Sequence, residues 1–520
     1  MLIDKESRYD RQLRLWASTG QTNLENSHIC LINATPTGSE ILKNLVLPGI
    51  GEFTIIDNRR VTPQDLSGNF FLKRQDLNQV LADAVKANLS ELNSEVCGHS
   101  INRSIISILS EESHQFWDQF NVVIVSDYVP QLELLKEILW NKKTPLLIVN
   151  TIGFYGSLNI IANEITVIET HDPSRLYDLR IDKPWPELQA FVNSIDLDSL
   201  DDTDHAHVPY IVIYIKALQT WKVDHNGSVP QNYHEKKLFR SYIEQLSRNI
   251  NLEANFIEAS NSIHRALQTT GIPISIQKLF EKVTAANESF DASTPIFWIF
   301  IKALKRFVEK NDNQLPLPGT LPDMASDTTS YLCLQTIYRE KAWKDQELFT
   351  REVIKVLEEV GRSKEELNRD SITSFCKNSQ MLYVTSGSKK LYSSSLIQEL
   401  LNSSNDAEND PYNTLGIYFA ILTYNLFIEK CNRSPTLKDL DLLEILFADN
   451  ILNRSSVPSS VITTFRELLS HNTRHYHNIN SLMGGIASQE VLKLATAQYT
   501  PLDNLFVFDG IRSVSEKWKI

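Results

Sequence analysis

Residues 28–57 carry the groundwork of a nucleotide site. The run His28-Ile-Cys-Leu-Ile-Asn33-Ala-Thr-Pro-Thr-Gly38-Ser-Glu40 continues into Ile41-Leu-Lys-Asn-Leu45. It resumes at Gly51-Glu-Phe53-Thr-Ile-Ile-Asp57. An apolar strand feeds a turn, the turn opens a helix, and a second strand ends in an acid. That acid sits where a ribose-binding carboxylate belongs in a dinucleotide-type β-α-β unit. The chemistry would be phosphate binding on a helix N-terminus, with glycines letting the backbone approach the anion. Here Asn33, Thr35 and Pro36 stand in those places. Pro36 also lacks the N–H such a loop would offer. Only Gly38 is kept, where helix and strand pack closely. The fold is retained and the phosphate loop is degenerate, which points to a partner subunit more than to a self-sufficient enzyme.

Other candidate groups have plain structural readings. The five cysteines, Cys30, Cys97, Cys333, Cys376 and Cys431, are scattered and never spaced as C-x-x-C. They fit a reducing compartment and supply neither a disulfide framework nor a structural zinc. Cys30 falls within a buried strand, and Cys333 and Cys376 within helical patterns, so all three read as inert packing. Asp202, Asp204, His205 and His207 could be drawn as metal ligands, but an acidic loop before a helix accounts for them. His471, His475 and His477 read as cap or surface groups. Gly484-Gly485 reads as a close approach of two elements. There is no Walker loop and no Gly-x-Ser-x-Gly elbow.

The elements that must position these residues alternate. A helix over 9–16 precedes strand 28–33, helix 38–47, strand 53–57, helix 79–93, and strands 101–108 and 121–126. Helix 131–140 and strand 145–150 follow. This order predicts a mostly parallel sheet covered on both faces. Strands 158–162 and 165–169 read as a hairpin. From about residue 175 to 470 the periodicity is helical, as in residues 295–310, where Phe297, Phe300, Ile301, Leu304, Phe307 and Val308 recur at helical spacing. Helices are predicted near 209–222, 235–248, 275–286, 325–342, 347–359, 362–377, 411–430, 436–448 and 459–470. The segment 311–323, with three prolines, and the polar segment 403–411 mark breaks. Helix 481–495 and strand 505–508 close the chain. The expected organisation is an α/β domain over 1–170, a helical insertion over 171–475, and a return to the first domain over 476–520.

At 520 residues, 42% apolar and 22% charged, the chain has the composition of a globular protein of two to four domains. Its formal net charge of −13 gives no overall attraction to phosphate backbones or anionic membranes. The N-terminus has no apolar signal-type segment. Residues 415–428, the most apolar stretch, are too short to span a bilayer.

A resemblance then becomes specific. Tyr9-Asp10-Arg11-Gln12-Leu13-Arg14-Leu15-Trp16 with Gly20-Gln21 resembles the opening of the ubiquitin-like-modifier activating enzymes. So do Gly38-x-Glu40 with Lys43-Asn44-Leu45, Gly49-Ile50-Gly51, and Asp57 followed by Val61, Asp65-Leu66 and Asn69-Phe70-Phe71. Asp182-Lys183-Pro184-Trp185-Pro186-Glu187-Leu188 and Asn478-x-x-x-Leu482-Met-Gly-Gly485-x-Ala-x-Gln489-Glu490 extend the likeness to both ends of the insertion. Within that family the chain is most similar to regulatory, non-catalytic subunits of the heterodimeric neddylation-pathway enzymes. The resemblance implies an α/β, Rossmann-like adenylation-type fold, inactive, with a degenerate nucleotide loop and split by a large all-helical insertion. That insertion resembles a catalytic-cysteine domain without the cysteine.

Active halves in this family use an Asn-x-Asn-Arg-Gln run, a phosphate-binding lysine at a helix start, and an Asp-Asn…Arg cluster. Here the aligned positions read Ser67-Gly68-Asn69, about Leu81, and Asp127 with Tyr128 and Leu132. A triphosphate would lack compensating cations. Asp57 and Asp127 then read as strand-end turn residues. None of the cysteines has the family's nucleophile context, being followed by Leu31, Gly98, Leu334, Lys377 and Asn432.

By the resemblance, no cofactor is bound by this chain, and Mg-ATP sits in the partner. Arg11 is the site residue it implies, reaching in trans to the partner's ATP. The alternative for Arg11 is a surface arginine on an amphipathic helix, paired with Asp10 or a neighbour. Arg14 reads as structural. Implied partners are a catalytic activating-enzyme subunit, met over an interface from about Gly49 to Leu72, and a ubiquitin-like modifier. Nucleic acid and membrane are not implied. Cytoplasm and nucleus are the expected compartments. The ubiquitin-fold module that recruits carrier enzymes is expected on the partner, since the chain ends just after its last strand. A sumoylation-type counterpart, a pure scaffold and a self-sufficient nucleotide enzyme are the alternatives.

Overall fold

The computed structural model describes residues 5–174, 176–286, 290–404, 414–452, 456–472 and 474–520. The chain forms two compact units. One joins Met1–Val167 to Tyr383–Ile520, and the other is Ile168–Leu382.

In the first unit the elements run α1 (Lys5–Glu25), β1 (His28–Ile32), α2 (Pro36–Val46), β2 (Glu52–Ile56), α3 (Pro63–Gly68), α4 (Leu81–Ser90), β3 (Cys97–Ile101) and α5 (Ile105–Glu111). They continue with β4 (Val122–Ser126), α6 (Leu132–Lys142), β5 (Leu146–Ile152), β6 (Tyr155–Ile161) and β7 (Glu164–Val167). After the second unit come β8 (Tyr383–Ser386), helices Leu415–Cys431, Leu440–Asn450, Ser459–His471 and His477–Thr496, then β9 (Leu505–Asp509) and β10 (Val514–Trp518). Eight strands make one sheet in the order β10-β9-β6-β5-β4-β1-β2-β3. The strands from β3 to β5 are mutually parallel, and β6, β9 and β10 add antiparallel pairs.

Alternation along the central strands builds two cores. Ile29 and Leu31 face a layer that includes Ile41, Leu45, Val85, Met483 and Val491. Cys30 and Ile32 face the opposite layer, with Ile108, Trp117 and Leu135. Both faces are covered, so β4 is buried along its whole length. That is the requirement for a parallel sheet.

Several expectations need correction. Strand 101–108 does not form. The edge strand β3 ends at Ile101, and Ile105–Glu111 is helical because Ser104 caps it, accepting from the Ser107 N–H. The expected hairpin over 158–162 and 165–169 is also absent. β6 pairs with β5 and β9, while β7 pairs with β8, more than two hundred residues later in the chain. β10, unforeseen, completes the sheet edge. The helices expected over 325–342 and 347–359 are one continuous helix, Thr328–Glu359.

The insertion expected over 171–475 divides at Leu382. Helices Leu415–Cys431, Leu440–Asn450 and Ser459–His471 belong with the sheet, because their apolar faces share one core with Tyr155, Leu505 and Val507. Tyr418 ties them in by accepting a hydrogen bond from Asn159 on β6 (3.2 Å). The part of the predicted break at 403–411 from residue 405 onward lies outside the described residues. The named elements of the second unit, among its described residues, are all helices. The unit is built around Tyr210–Asp224, whose Ile211, Val212, Ile213 and Tyr214 are all buried. No described helix is long and apolar enough to cross a membrane.

Gly484, on helix His477–Thr496, is where that helix meets α2. A Cβ there would stand 2.6 Å from the Cβ of Glu40, whereas one at Gly485 would meet nothing within 4 Å. Gly484→Ala is therefore expected to cost about 1–3 kcal/mol by overpacking. Gly485→Ala should be neutral or gain up to about 1 kcal/mol from helix propensity. Urea-denaturation midpoints of the two variants check this asymmetry.

Candidate functional site

The turn between β1 and α2 is closed by its own side chains. Asn33 has φ +70°, a left-handed conformation in which asparagine is among the more tolerant residues. Its Nδ2 donates to the carbonyls of Ser126 (3.1 Å) and Tyr128 (3.0 Å), stitching the turn to the end of β4. Thr35 caps α2, accepting from the Gly38 N–H (3.1 Å), and its hydroxyl also bonds that of Ser126. Pro36 opens the helix. The Thr37 hydroxyl bonds the Thr151 hydroxyl (2.9 Å) and the Asn480 side-chain carbonyl (3.1 Å). The Gly38 N–H and the side chains of Asn33, Thr35 and Thr37 are thus engaged within the fold.

Asp57 directly follows β2, at the strand end where the sequence places the acid, but its carboxylate is already satisfied. It accepts from the Ala34 N–H (2.9 Å) and the Arg59 N–H (2.9 Å). The Arg59 guanidinium reaches it through Nε (3.0 Å) and Nη2 (2.5 Å). The Asp57 side chain is 1% exposed and that of Arg59 50%. Two fixed N–H donors plus a bidentate guanidinium make a strong, geometrically specific set. Sequence reasoning missed Arg59. Its only signal was a cation two residues beyond the expected ribose acid.

Around this turn the other family positions are likewise filled by packing. Leu81 is buried at the start of α4. Gly68 lies against the His475 side chain, where a Cβ would come within 2.8 Å. Asn69 is buried and donates to Ser39 (2.8 Å). Asp127 has φ +63° and accepts the Thr151 N–H (2.9 Å). Burial pushes its carboxyl above the ordinary range, against the opposing pull of that N–H, His475 and Arg59.

Arg11 is placed quite differently. Tyr9 anchors its stretch of α1: the buried phenol donates to Glu95 (3.0 Å), accepts from Asn93 (3.0 Å) and lies over Gly49, which has φ +88°. Asp10 pairs with Arg14 (2.9 Å), so the structural reading of Arg14 fits and Asp10 is not the partner of Arg11. Arg11 is exposed and makes no hydrogen bond or ion pair among the described residues. Trp16 is buried, while Leu15 is exposed. The helix kinks there, with Ala17 at φ +54°.

The remaining candidates separate. Cys30 and Cys376 are buried, and burial pushes both thiols far up. Cys333 is exposed, a correction to its reading as buried packing: it lies on the outer side of helix Thr328–Glu359. His205 is buried, stacked on Phe256, with Nδ1 2.6 Å from Glu253. Asp202 pairs with Arg248 (2.7 Å), and His207 turns to the Thr203 carbonyl. No group among the described residues could hold a metal ion. His471 bonds the Tyr476 hydroxyl (2.9 Å), and His477 begins the last long helix.

A ThiF family profile matches residues 9–520. The chain belongs to the ThiF family. Within it stand relatives named NEDD8-activating enzyme E1 regulatory subunit. The Gallus gallus protein is 36% identical, over 99% of this chain and 98% of that protein. The Xenopus laevis protein is 35% identical, over 99% of each. The Saccharomyces cerevisiae protein is 28% identical, over 99% of this chain and all of that protein. This ThiF-family chain is of that regulatory-subunit type, with the α/β adenylation-type fold expected from its motifs.

For Asp127 the sign of the pH effect follows from its raised pKa. The folded state holds the proton more tightly than the unfolded one. That stabilisation is present below the unfolded pKa of about 4 and lost as pH rises through the folded-state value. Asp127→Asn keeps an acceptor for Thr151 and removes the half-buried charge. It is expected to raise the melting temperature by about 2–4 °C at pH 8 and by less at pH 4.5. Calorimetry at the two pH values checks it.

Proposed function

We propose that this chain is the non-catalytic, regulatory subunit of a heterodimeric activating enzyme for a NEDD8-type ubiquitin-like modifier. The observation that carries the reading is a contrast between two arginines of one unit. Arg59 is locked onto Asp57 inside the former nucleotide turn, while Arg11 stands exposed without a described partner. A turn with the Ala34 and Gly38 N–H groups engaged, no N–H at Pro36 and its acid neutralised does not fit a triphosphate. Adenylation of the modifier's C-terminal carboxylate therefore takes place on the catalytic partner, which holds Mg-ATP and carries the acyl-accepting cysteine.

This subunit contributes Arg11 in trans. Negative charge grows on the departing pyrophosphate, and a preorganised guanidinium can meet two of its oxygens. Tyr9 supplies the preorganisation by holding α1 against Asn93 and Glu95. The partner is met over the stretch from Gly49 to Leu72. There Phe70 is 78% exposed beside the buried Gly68 and Asn69, an aromatic of the kind that anchors interfaces.

Two variants test the reading in the reconstituted heterodimer. Arg11→Ala should lower ATP–pyrophosphate exchange by roughly a hundred- to a thousandfold, the loss expected for about 2.7–4 kcal/mol of transition-state stabilisation. Its thermal midpoint should be unchanged. Exchange at the wild-type rate would leave the subunit a scaffold only. Phe70→Glu should abolish co-elution with the catalytic subunit on size-exclusion chromatography. Exchange catalysed by this chain alone would overturn the reading altogether.

A further inference from the structure

In the second unit, helix Thr328–Glu359 turns one face outward at Trp343, Glu347, Thr350 and Ile354, positions spaced i, i+4, i+7 and i+11. Opposite it stand the short turn Lys364–Glu366 and helix Arg369–Asn378. Between them lies a groove of about 480 Å³. Its floor is apolar: Ile372 is buried, and Ile354 and Leu367 are half-buried. Its rim carries three cations, Arg351, Lys364 and Arg369, against one acid, Glu347. In a chain of net charge −13 this is a local reversal of sign.

What marks the groove is that its cations are unpaired and grouped over an apolar floor beside an exposed tryptophan. Several other cations of the same unit are paired. Arg306 holds Glu359 (2.6 Å), Lys310 and Lys355 share Glu352 (2.8 Å each), Arg362 holds Glu366 (2.6 Å), and Lys344 holds Glu187 (2.7 Å). Arg351, Lys364 and Arg369 have no hydrogen-bonded or ionic partner among the described residues, and all three are exposed. Arg180 shows the opposite case. It lines a cavity, but its guanidinium is already bound to Gln314, the Leu315 carbonyl and Asp178. Arg369 also opens its helix, where a cation opposes the axial dipole and gains by meeting an incoming carboxylate. At the end of the groove Trp343 is 51% exposed. Tryptophan and arginine are the residues most enriched at interface hot spots.

We infer that this groove binds an extended acidic segment of another protein, its carboxylates on Arg351, Lys364 and Arg369 and one apolar side chain against Trp343 and Ile354. From Trp343 to Ile354 the helix runs roughly 16 Å, the span of about five extended residues. A peptide is favoured over a nucleic acid because Glu347 stands in the wall, where a continuous phosphate backbone would meet like charge. The inference is independent of the role assigned to Arg11, which lies in the other unit.

The test uses the full-length chain and a fluorescein-labelled polyglutamate peptide with one central phenylalanine, read by fluorescence anisotropy. Saturable binding is expected, weakening as salt is raised. Trp343→Ala and the double variant Arg351→Glu, Arg369→Glu should each weaken it at least tenfold, with thermal midpoints unchanged. The double variant should instead bind a polylysine peptide with the same phenylalanine, a rescue that a merely structural role would not produce. No saturable binding to the wild-type chain would overturn the proposal. So would equal binding by the charge-reversed variant, equal binding of a phenylalanine-free polyglutamate, or tighter binding of a labelled single-stranded oligonucleotide at the same residues.

Discussion

The buried carboxylate of Asp57 sets the terms for the α/β unit. An anion removed from water needs donors, and in a dinucleotide-type fold a ligand's ribose can supply some of them. Here the Ala34 N–H, the Arg59 N–H and the Arg59 guanidinium supply them from within. The β1–α2 turn is thereby held to the end of β2, and Asn33 holds it equally to the end of β4. A ribose competing for Asp57 would have to displace charge-assisted bonds of good geometry and leave a guanidinium without its carboxylate. A phosphate competing for the start of α2 would meet Thr35 on the Gly38 N–H and Pro36 with no N–H at all. Loss of the ligand site and rigidity of the turn are one arrangement seen from two sides.

That rigidity is carried outward by the sheet. β6 runs antiparallel to β5 and accepts β9 on its far side, so the last strands of the chain finish a sheet begun at residue 28. Helix His477–Thr496 crosses back to α2, with Gly484 permitting contact at Glu40 and Thr37 bonding Asn480. β7 and β8, which flank the second unit in sequence, pair with each other.

Much of this was legible in the sequence. Short runs of β-branched and aliphatic residues, as in Val122–Ser126, mark buried parallel strands, and the emptied loop was plain from Asn33, Thr35 and Pro36. Edges were harder. β3, written Cys-Gly-His-Ser-Ile, has no apolar alternation because it is exposed. The richer run Ile105-Ile-Ser-Ile-Leu imitates a strand, and its cap at Ser104 makes it a helix. The boundary of the insertion was hidden for another reason. Helical periodicity reports that one face is buried, not what it is buried against, so residues 415–471 read the same whether they pack on the sheet or apart from it. Arg59 was invisible as a site residue because its role depends on the conformation of the turn between it and Asp57. No spacing rule encodes that.

The arginines show how function divides from structure in a chain of this charge. Arg59 and Arg180 are each given acceptors by their own fold: Asp57 for one, and Asp178, Gln314 and a backbone carbonyl for the other. Arg14 has Asp10 four residues before it. Acids outnumber bases, 64 to 51, so an exposed cation without a partner is not explained by scarcity of carboxylates. Arg11 is left open on a helix that Tyr9 holds in register. Arg351, Lys364 and Arg369 are left open over an apolar floor beside an exposed tryptophan. In water an unpaired surface cation costs little. Once a partner excludes solvent, the same charge interacts with an incoming anion far more strongly than any surface pair could. Positions where a rigid fold holds a guanidinium without its counter-ion are therefore those at which a second molecule can complete the electrostatics.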